Sequence, residues 1–354
     1  MFFPSNDKAM AFTPPFALRS GHLQTLMVGS RLRQVRLRHS IQRVGQHEEP
    51  RLIDCGGGVR LIGALNRARR PDETSNRASA GQASNDSSPL VILLHGWEGC
   101  YTSTYMTTAT NALVSAGFDV FRLNLRDHGP SLHLNPALFN ATLTDEVSRA
   151  IGVIIKQLQA RDSFLAGYSL GGNFALRIAA DHGEHLGLKS AMAVCPPLDP
   201  ARTMAILENP LSPYQFYFYR KWRDTLQNKL HYFPELGYQK QLDRSRTLAD
   251  INRFFIPEHT PYERAEDYFA AYALTGKRLA ELDIPALLLT AEDDPIIPAV
   301  DLPSVAGAAH LQIEVTAHGG HCGYIRNYRL GSWADWRLVE YFSKHSGKQG
   351  LTHV

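Results

Sequence analysis

From residue 90 onward, short apolar runs alternate with longer amphipathic segments. The run Leu90–Leu94 is apolar at every position, which is typical of a parallel strand covered by helices on both faces. In residues 144–159 the apolar positions fall on one face of a helix. This alternation predicts a doubly wound α/β fold, a mostly parallel central sheet flanked by helices. The predicted strands are 90–94, 118–123, 163–166, 189–194, 286–290 and 311–315, and the predicted helices are 104–115, 144–159, 170–180 and 333–343.

The stretches before residue 90 follow other patterns. Residues 1–50 have no sustained period, and we expect an irregular N-terminal arm there. Two strand-like runs, 51–55 and 59–65, are separated by three consecutive glycines and predict an antiparallel hairpin at the start of the sheet. Residues 67–88 are polar with almost nothing to bury, so they should form a mobile loop.

At 199–272 the alternation of strands and helices stops, and aromatic side chains become frequent. We predict a mainly helical cap inserted between two parts of one core domain, 51–198 and 273–354. Ligands of open α/β sheets bind at the carboxyl ends of the strands, so this cap would cover the site. Most of its aromatics should form the cap's own core, with a few lining a substrate pocket.

Composition narrows the class of protein further. The chain has 354 residues, 44% of them hydrophobic and 20% charged, and its formal net charge is +3. No basic stripe with interleaved aromatics occurs, which argues against nucleic-acid binding. We find no signal peptide and no apolar run that could cross a bilayer, so we expect a cytoplasmic protein with no transmembrane segment. The four cysteines are far apart and should be free thiols.

Ser169 is the candidate nucleophile. It stands in Gly167-Tyr168-Ser169-Leu170-Gly171, between a predicted strand and a predicted helix. In a Gly-x-Ser-x-Gly elbow the serine occupies a strained turn, and the following helix N-terminus favours developing negative charge. The run His95-Gly96-Trp97 follows the strand at 90–94. We expect an oxyanion hole built from the backbone N–H groups of Leu170 and Trp97.

An acid and a base follow Ser169 in the order that such a triad requires. The strand at 286–290 leads into Glu292-Asp293-Asp294-Pro295, and we choose Asp294 as the acid, with Asp293 as the alternative. The strand at 311–315 leads into a glycine-rich loop with two histidines, His318 and His321. We choose His321 as the general base, with His318 as the alternative.

Three further interpretations of polar residues have less support from the sequence than the triad. A metal site at His128 and His133 would need ligands that the sequence does not identify, so we predict no metal and no cofactor. Cys322, beside His321, is a less well placed nucleophile than Ser169. The segment Arg126-Asp127-His128 is expected to fix a local turn.

These residues together resemble the α/β-hydrolase fold, and within it the fourth family of the AB hydrolase superfamily, which includes bacterial hydrolases and acylglycerol lipases. The motifs that carry the resemblance are Pro14 to Leu26, His95 to Gly99, Arg122 to Gly129, the Ser169 elbow, Asp294, and Gly319-Gly320-His321. The resemblance implies Ser169, Asp294 and His321 as a catalytic triad and ester hydrolysis as the activity. The chain differs from typical members of this family near Arg126-Asp127, so the substrate of those members is a weaker guide to the substrate of this chain.

The function expected from these residues is cleavage of carboxylic esters through an acyl-enzyme, on short or medium acyl esters or monoacylglycerol-like lipids. The same triad could serve a thioesterase, an amidase or an acyltransferase, because acyl-enzyme chemistry accepts several leaving groups. A ligand-binding protein that retained the fold without catalysis is a further alternative. The sequence does not indicate the oligomeric state. It also does not indicate a chemical role for His22-Leu23-Gln24-Thr25.

Overall fold

The computed structural model describes residues 12–69, 88–305 and 308–347. Within them, eight strands form one sheet. The strands are β1 Glu48–Asp54, β2 Arg60–Asn66, β3 Leu90–Leu94, β4 Asp119–Leu123, β5 Ser163–Tyr168, β6 Leu188–Val194, β7 Ala286–Ala291 and β8 Leu311–Thr316. Their order across the sheet is β1-β2-β4-β3-β5-β6-β7-β8.

The sheet is parallel except at one edge. Strand β1 pairs with β2 and β2 with β4 in antiparallel fashion, whereas the pairs from β4 to β8 are parallel. The predicted hairpin is confirmed, and its three glycines, Gly56, Gly57 and Gly58, all have positive φ. The carboxyl ends of β5, β7 and β8 therefore lie at the same edge, and the loops that leave this edge carry the candidate site.

Helices cover both faces of the sheet. They are α1 Gly21–Met27, α2 Arg31–Arg36, α3 Arg38–Gln46, α4 Thr104–Ser115, α5 Thr144–Leu158, α6 Leu170–His182, α7 Pro200–Leu207, α8 Pro213–Tyr232, α9 Gln239–Arg244, α10 Leu248–His259, α11 Ala265–Ala271 and α12 Trp333–His345. Ile92 of β3 packs on one face in a cluster with Ile151 of α5 and Phe174 of α6. Leu93 packs on the other face with Leu113 of α4. This two-sided burial explains why β3 is apolar at every position, and it confirms the predicted α/β-hydrolase architecture.

The prediction that the N-terminal arm is irregular is wrong for most of residues 21–46, and residues 1–11 lie outside the described residues. Residues 21–46 form the helices α1, α2 and α3, and β1 begins at Glu48. The hydroxyls of Ser20 and Ser30 cap α1 and α2 by accepting backbone N–H groups. Arg33 of α2 is fully buried and donates to the carbonyl of Leu330. Such distant partners stabilise short helices that local periodicity does not reveal.

Helices α7 to α11 lie between β6 and β7 in the described part of the chain. Buried aromatic side chains from several of these helices belong to the same hydrophobic cluster as Ile92 of β3. They include Trp222, Phe255 and Tyr268. The division into a core of 51–198 and 273–354 and a cap of 199–272 stays a prediction. The predicted loop at 67–88 lies mostly outside the described residues. No helix in the described ranges is long and apolar enough to span a membrane.

Candidate active site

Ser169 lies at the turn from β5 into α6 with φ 53° and ψ −122°. Glycines on both sides of Ser169 allow neighbouring backbone segments to approach the turn closely. A Cβ on Gly167 would lie 2.1 Å from the carbonyl oxygen of Gly171, and a Cβ on Gly171 would lie 2.4 Å from that of His95. The Ser169 N–H donates to the carbonyl of Val194 at 2.8 Å. Neighbouring strands therefore hold a serine conformation that is unfavourable for an L-residue.

The structure brings Ser169, His321 and Asp294 into one line of hydrogen bonds. His321 Nε2 lies 2.9 Å from Ser169 Oγ, and His321 Nδ1 lies 2.9 Å from Asp294 Oδ2. The other carboxylate oxygen, Asp294 Oδ1, accepts the N–H groups of Ile296 at 2.8 Å and Ile297 at 2.9 Å. These two bonds fix the carboxylate, which in turn orients the imidazole so that Nε2 faces the serine.

The electrostatics of His321 follow from its neighbours. Burial, the largest single effect, lowers the pKa of the imidazole, but the charge and hydrogen bond of Asp294 together with the charge of Cys322 outweigh burial and raise the pKa of His321 to about 9. A carboxylate beside a histidine favours the imidazolium form. The pair therefore stabilises a proton on His321, which is the state that a base reaches after taking a proton from serine.

The two alternative residues from the sequence lie beside this line. Asp293 Oδ1 accepts the N–H of Gly320 at 2.8 Å, and His318 Nδ1 lies 3.5 Å from Asp293 Oδ2. Asp293 thus contacts the backbone of the histidine loop. The side chains that contact Ser169 Oγ and His321 Nδ1 are those of His321 and Asp294, which were the first choices.

The loop after β3 passes close to the serine. A Cβ on Gly96 would lie 3.1 Å from Ser169 Cβ and 3.7 Å from Ser169 Oγ. The N–H of Leu170 is the first of α6, and the first N–H groups of a helix have no acceptor within it. Trp97 and Leu170 both line the cavity that contains Ser169. Their role as an oxyanion hole stays a prediction.

A mostly apolar cavity opens above Ser169. Its volume is about 780 Å³, including space at its opening to solvent. The lining residues come from the loops at the sheet edge and from the helices between β6 and β7, and they include Trp97, Phe139, Asn140, Ser169, Leu170, Met204, Leu207, Phe218, Trp222, Asn252, Phe255, Tyr268, Ile296 and His321. A concave site with this mostly apolar lining and a few polar groups is typical of sites for small organic ligands.

Helix α8 contacts the loop after β3 in several places that the sequence did not indicate. The Trp97 ring stacks on Phe218 with ring centroids 5.3 Å apart. The Thr225 hydroxyl donates to Glu98 Oε2 at 2.7 Å, and Lys221 Nζ donates to the Glu98 carbonyl at 3.3 Å. Burial raises the pKa of the Glu98 carboxyl to about 7, although the Thr225 hydrogen bond opposes the shift. Glu98 thus connects α8 to the loop that passes close to Ser169.

A second polar contact joins α8 to the loop after β4. Lys229 Nζ lies 2.6 Å from Asp127 Oδ1, and both side chains are almost fully buried. Asp127 Oδ2 accepts the N–H of Phe139, a residue that lines the cavity. In the same loop, Arg126 pairs with the buried Glu146. The segment Arg126-Asp127-His128 therefore does more than form a local turn, because Asp127 also binds Lys229 of α8.

One group in the described residues has the donor types of a metal site. The ligand atoms of Cys195, His321 and Cys322 lie within 4.8 Å of one another. Thiolate and imidazole are ligands that Zn²⁺ prefers. Both ring nitrogens of His321 are already hydrogen-bonded, to Ser169 and Asp294. A metal ion bound through His321 would displace one of these partners and break the line of hydrogen bonds.

Comparison with known proteins finds relatives of low sequence identity. The chain is 22% identical over 261 residues to monoacylglycerol lipase of Saccharomyces cerevisiae, covering 71% of this chain but only 58% of that protein. It is 23% identical over 269 residues to an abhydrolase domain-containing protein of Dictyostelium discoideum, covering 73% and 67%. The chain thus spans less than two thirds of the yeast protein.

Solved structures share the fold at low sequence identity. The crystal structure of 2,6-dihydroxy-pseudo-oxynicotine hydrolase matches with a TM-score of 0.57 and 16% identity, covering 94% of this chain and 80% of that one. The esterase Pf2001 of Pyrococcus furiosus matches with a TM-score of 0.55 and 14% identity, covering 86% and 92%. The sequence model of the alpha/beta hydrolase fold matches residues 89–328, which is more than half of the chain. The chain therefore belongs to the alpha/beta hydrolase family.

Proposed function

We propose that this protein is a carboxylic-ester hydrolase that works through an acyl-enzyme on Ser169. The observation that carries the proposal is the continuous line from Ser169 Oγ through His321 to Asp294, with 2.9 Å at each step. This line opens into a cavity lined mostly by apolar side chains. Nucleophile, base and orienting acid are thus within hydrogen-bond distance beside a site that could hold an acyl group.

In the proposed reaction, Ser169 Oγ attacks the ester carbonyl carbon while its proton passes to His321 Nε2. Asp294 holds the Nδ1 proton and stabilises the imidazolium. The C–O bond of the tetrahedral intermediate then breaks, and His321 donates its proton to the leaving alcohol. Water then attacks the acyl carbon and gives a proton to His321 Nε2. The bond between this carbon and Ser169 Oγ breaks, His321 returns the proton to Oγ, and the carboxylic acid is released.

The backbone N–H groups of Leu170 and Trp97 are the proposed oxyanion donors. They would stabilise the negative charge on the carbonyl oxygen during both attacks. The position of Gly96 against Ser169, and the location of Leu170 at the start of α6, support this role. Each such donor typically contributes about 3 kcal/mol to stabilisation of the transition state.

The proposed substrate is a neutral ester with an apolar acyl chain, either a short or medium acyl ester or a monoacylglycerol-like lipid. The polar side chains of the cavity outside the hydrogen-bonded line are uncharged, as at Asn140, Thr203 and Asn252. A cavity without a fixed charge favours an uncharged ligand. The name of the yeast relative, monoacylglycerol lipase, makes a monoacylglycerol the first lipid to test.

The test is hydrolysis of p-nitrophenyl esters of increasing acyl length, together with labelling by a fluorophosphonate probe. Ser169→Ala should abolish both. Ser163→Ala is the matched control, because Ser163 is a buried serine of β5, the strand that leads to Ser169, and its hydroxyl has no hydrogen-bond partner in the described structure. Activity that persists in Ser169→Ala would refute the proposal. Rates on matched ester, thioester and amide substrates would identify the leaving group.

A further inference from the structure

Helix α1 lies directly against the loop that carries His321. The Thr25 hydroxyl accepts the backbone N–H of His321 at 2.8 Å and donates its own proton to the Gly21 carbonyl at 2.7 Å. With its proton directed at Gly21, the hydroxyl oxygen presents its lone pairs to His321. A residue without a side-chain acceptor at position 25 would leave the His321 N–H without this partner.

Gln24, the neighbour of Thr25, holds the same loop a few residues further on. Its side chain is 1% exposed. Gln24 Oε1 accepts the N–H of Ile325 at 2.6 Å, and Nε2 donates to the carbonyls of Leu18 at 2.7 Å and Ile325 at 3.3 Å. The side-chain amide thus uses both ends of its polar group to join the N-terminal segment to the chain after His321.

The backbones of α1 and the site loops approach so closely that side chains would not fit between them. A Cβ on Gly21 would lie 1.9 Å from the carbonyl oxygen of Asp293. A Cβ on Gly320 would lie 2.3 Å from the carbonyl oxygen of Gly21 and 2.8 Å from Gln24 Cβ. Helix α1 therefore contacts the loop of the acid and the loop of the base at once.

The loop itself is poorly suited to hold His321 by local preference. Cys322 has φ 60° and Tyr324 has φ 47°, both in the left-handed region that non-glycine residues rarely adopt. Such residues persist only when the surrounding structure fixes them. The hydrogen bonds from Thr25 and Gln24 supply fixed partners on both sides of these two residues.

The segment also reaches the helices between β6 and β7. His22 Nδ1 lies 2.8 Å from the Tyr214 hydroxyl of α8, and the two rings stack with their centroids 5.9 Å apart. One short helix therefore contacts the histidine loop, the acid loop and α8. This arrangement gives His22-Leu23-Gln24-Thr25 a location that the sequence could not assign.

We propose that Thr25 and Gln24 are positioning residues for the reaction, holding the backbone of His321 so that its imidazole stays aligned with Ser169. This inference rests on the proposed function, because it assumes that His321 is the base. Neither residue is proposed to touch the substrate. Loss of alignment should lower the rate of acyl-enzyme formation much more than it weakens substrate binding.

The test compares Thr25→Val and Thr25→Ser with the wild-type protein on a p-nitrophenyl ester. Thr25→Val keeps the shape but removes the acceptor, so kcat should fall about 10- to 100-fold, the range expected when a catalytic group is displaced by up to about 1 Å. KM should change by less than about twofold, because Thr25 is not proposed to touch the substrate and the contacts that bind it are unchanged. Thr25→Ser restores the hydroxyl and should restore most of kcat.

Thr110→Val is the matched control. Thr110 is a buried helical threonine of α4 whose hydroxyl donates to the Met106 carbonyl four residues earlier, as Thr25 does to Gly21. This control should keep the wild-type kcat. If Thr25→Val keeps the wild-type kcat, or if Thr110→Val loses as much activity as Thr25→Val, the positioning role is wrong.

Two further measurements separate the possible failures. Gln24→Met keeps the approximate size of the side chain without adding a charge but removes the acceptor for the Ile325 N–H, and it should also lower kcat with little change in KM. It serves if Thr25→Val does not fold. The rate of fluorophosphonate labelling should follow kcat across the variants. If wild-type Ser169 is neither labelled nor active, the proposed function itself fails, whereas an active wild type with unaffected variants overturns only the positioning role.

Discussion

The buried pair of Lys229 and Asp127 offers a quantitative test of how α8 is held above the site. The two side chains are 0% and 3% exposed, and Lys229 Nζ also donates to the carbonyls of Leu132 and Asn135. Burial lowers the pKa of Lys229 and raises the pKa of Asp127, each opposed by the charge of the other. Lys229→Met would leave the Asp127 carboxylate buried with the N–H of Phe139 but without its counterion.

Removing one partner of a buried ion pair typically destabilises a protein by about 3–5 kcal/mol. The entropy of unfolding is about 2.1 cal/mol/K per residue, which for a chain of 354 residues gives about 0.7 kcal/mol/K. Lys229→Met should therefore lower the melting temperature by about 4–7 °C. Asp127→Asn combined with Lys229→Met removes both charges and should recover most of this loss.

The assay is thermal and urea-induced unfolding of both variants beside a surface control. Lys189→Met is suitable, because Lys189 pairs with Asp162 where the side chains are 51% and 44% exposed. An exposed pair contributes about 1 kcal/mol or less. The deficit of Lys229→Met should shrink as pH falls through the raised pKa of Asp127, where protonation removes the unpaired charge. A deficit no larger than that of Lys189→Met would refute the reasoning.

Two further predictions concern pH. Because a base must be neutral to accept a proton, kcat/KM for an ester should rise with pH up to the His321 pKa of about 9. In Asp294→Asn the charge that raises this pKa is lost, so the profile should shift to lower pH while kcat falls by up to about 10⁴-fold; an unshifted profile would contradict this assignment. The Glu98 pKa is raised from 4.5 to about 7, so its contribution to stability is fully present below pH 4.5 and is lost as pH rises through 7. In urea unfolding, Glu98→Gln should lose less stability than the wild type between pH 5 and pH 8. Equal losses in both proteins would contradict a raised pKa of the Glu98 carboxyl.

Much of the sheet could be predicted because its signal is local. A strand buried on both faces is apolar along its length, and β3 begins and ends where the pattern predicted. The ends of other strands were less certain. The prediction stopped β5 at residue 166, whereas the strand continues to Tyr168 and leads straight into the turn at Ser169.

Candidate residues with a local motif were also accessible from the sequence. Ser169, Asp294 and His321 each follow a strand, and the parallel sheet brings those strand ends to one edge. The contacts of Lys229 with Asp127 and of Thr225 with Glu98 could not be predicted in this way, because their partners are 102 and 127 residues away in the sequence. A lysine or threonine on an amphipathic helix gives no local sign of such a partner.

The bond between Thr25 and His321 joins residues that are 296 positions apart. At a synthesis rate of about 5–20 residues per second, about 15–60 s pass between the making of α1 and the making of the loop it supports. For about the second half of that interval Ser169 is already translated, because it precedes His321 by 152 residues, but its imidazole partner does not yet exist. A nascent chain therefore carries Ser169 before His321 is made, and the geometry around Ser169 is completed only when α1 meets one of the last loops.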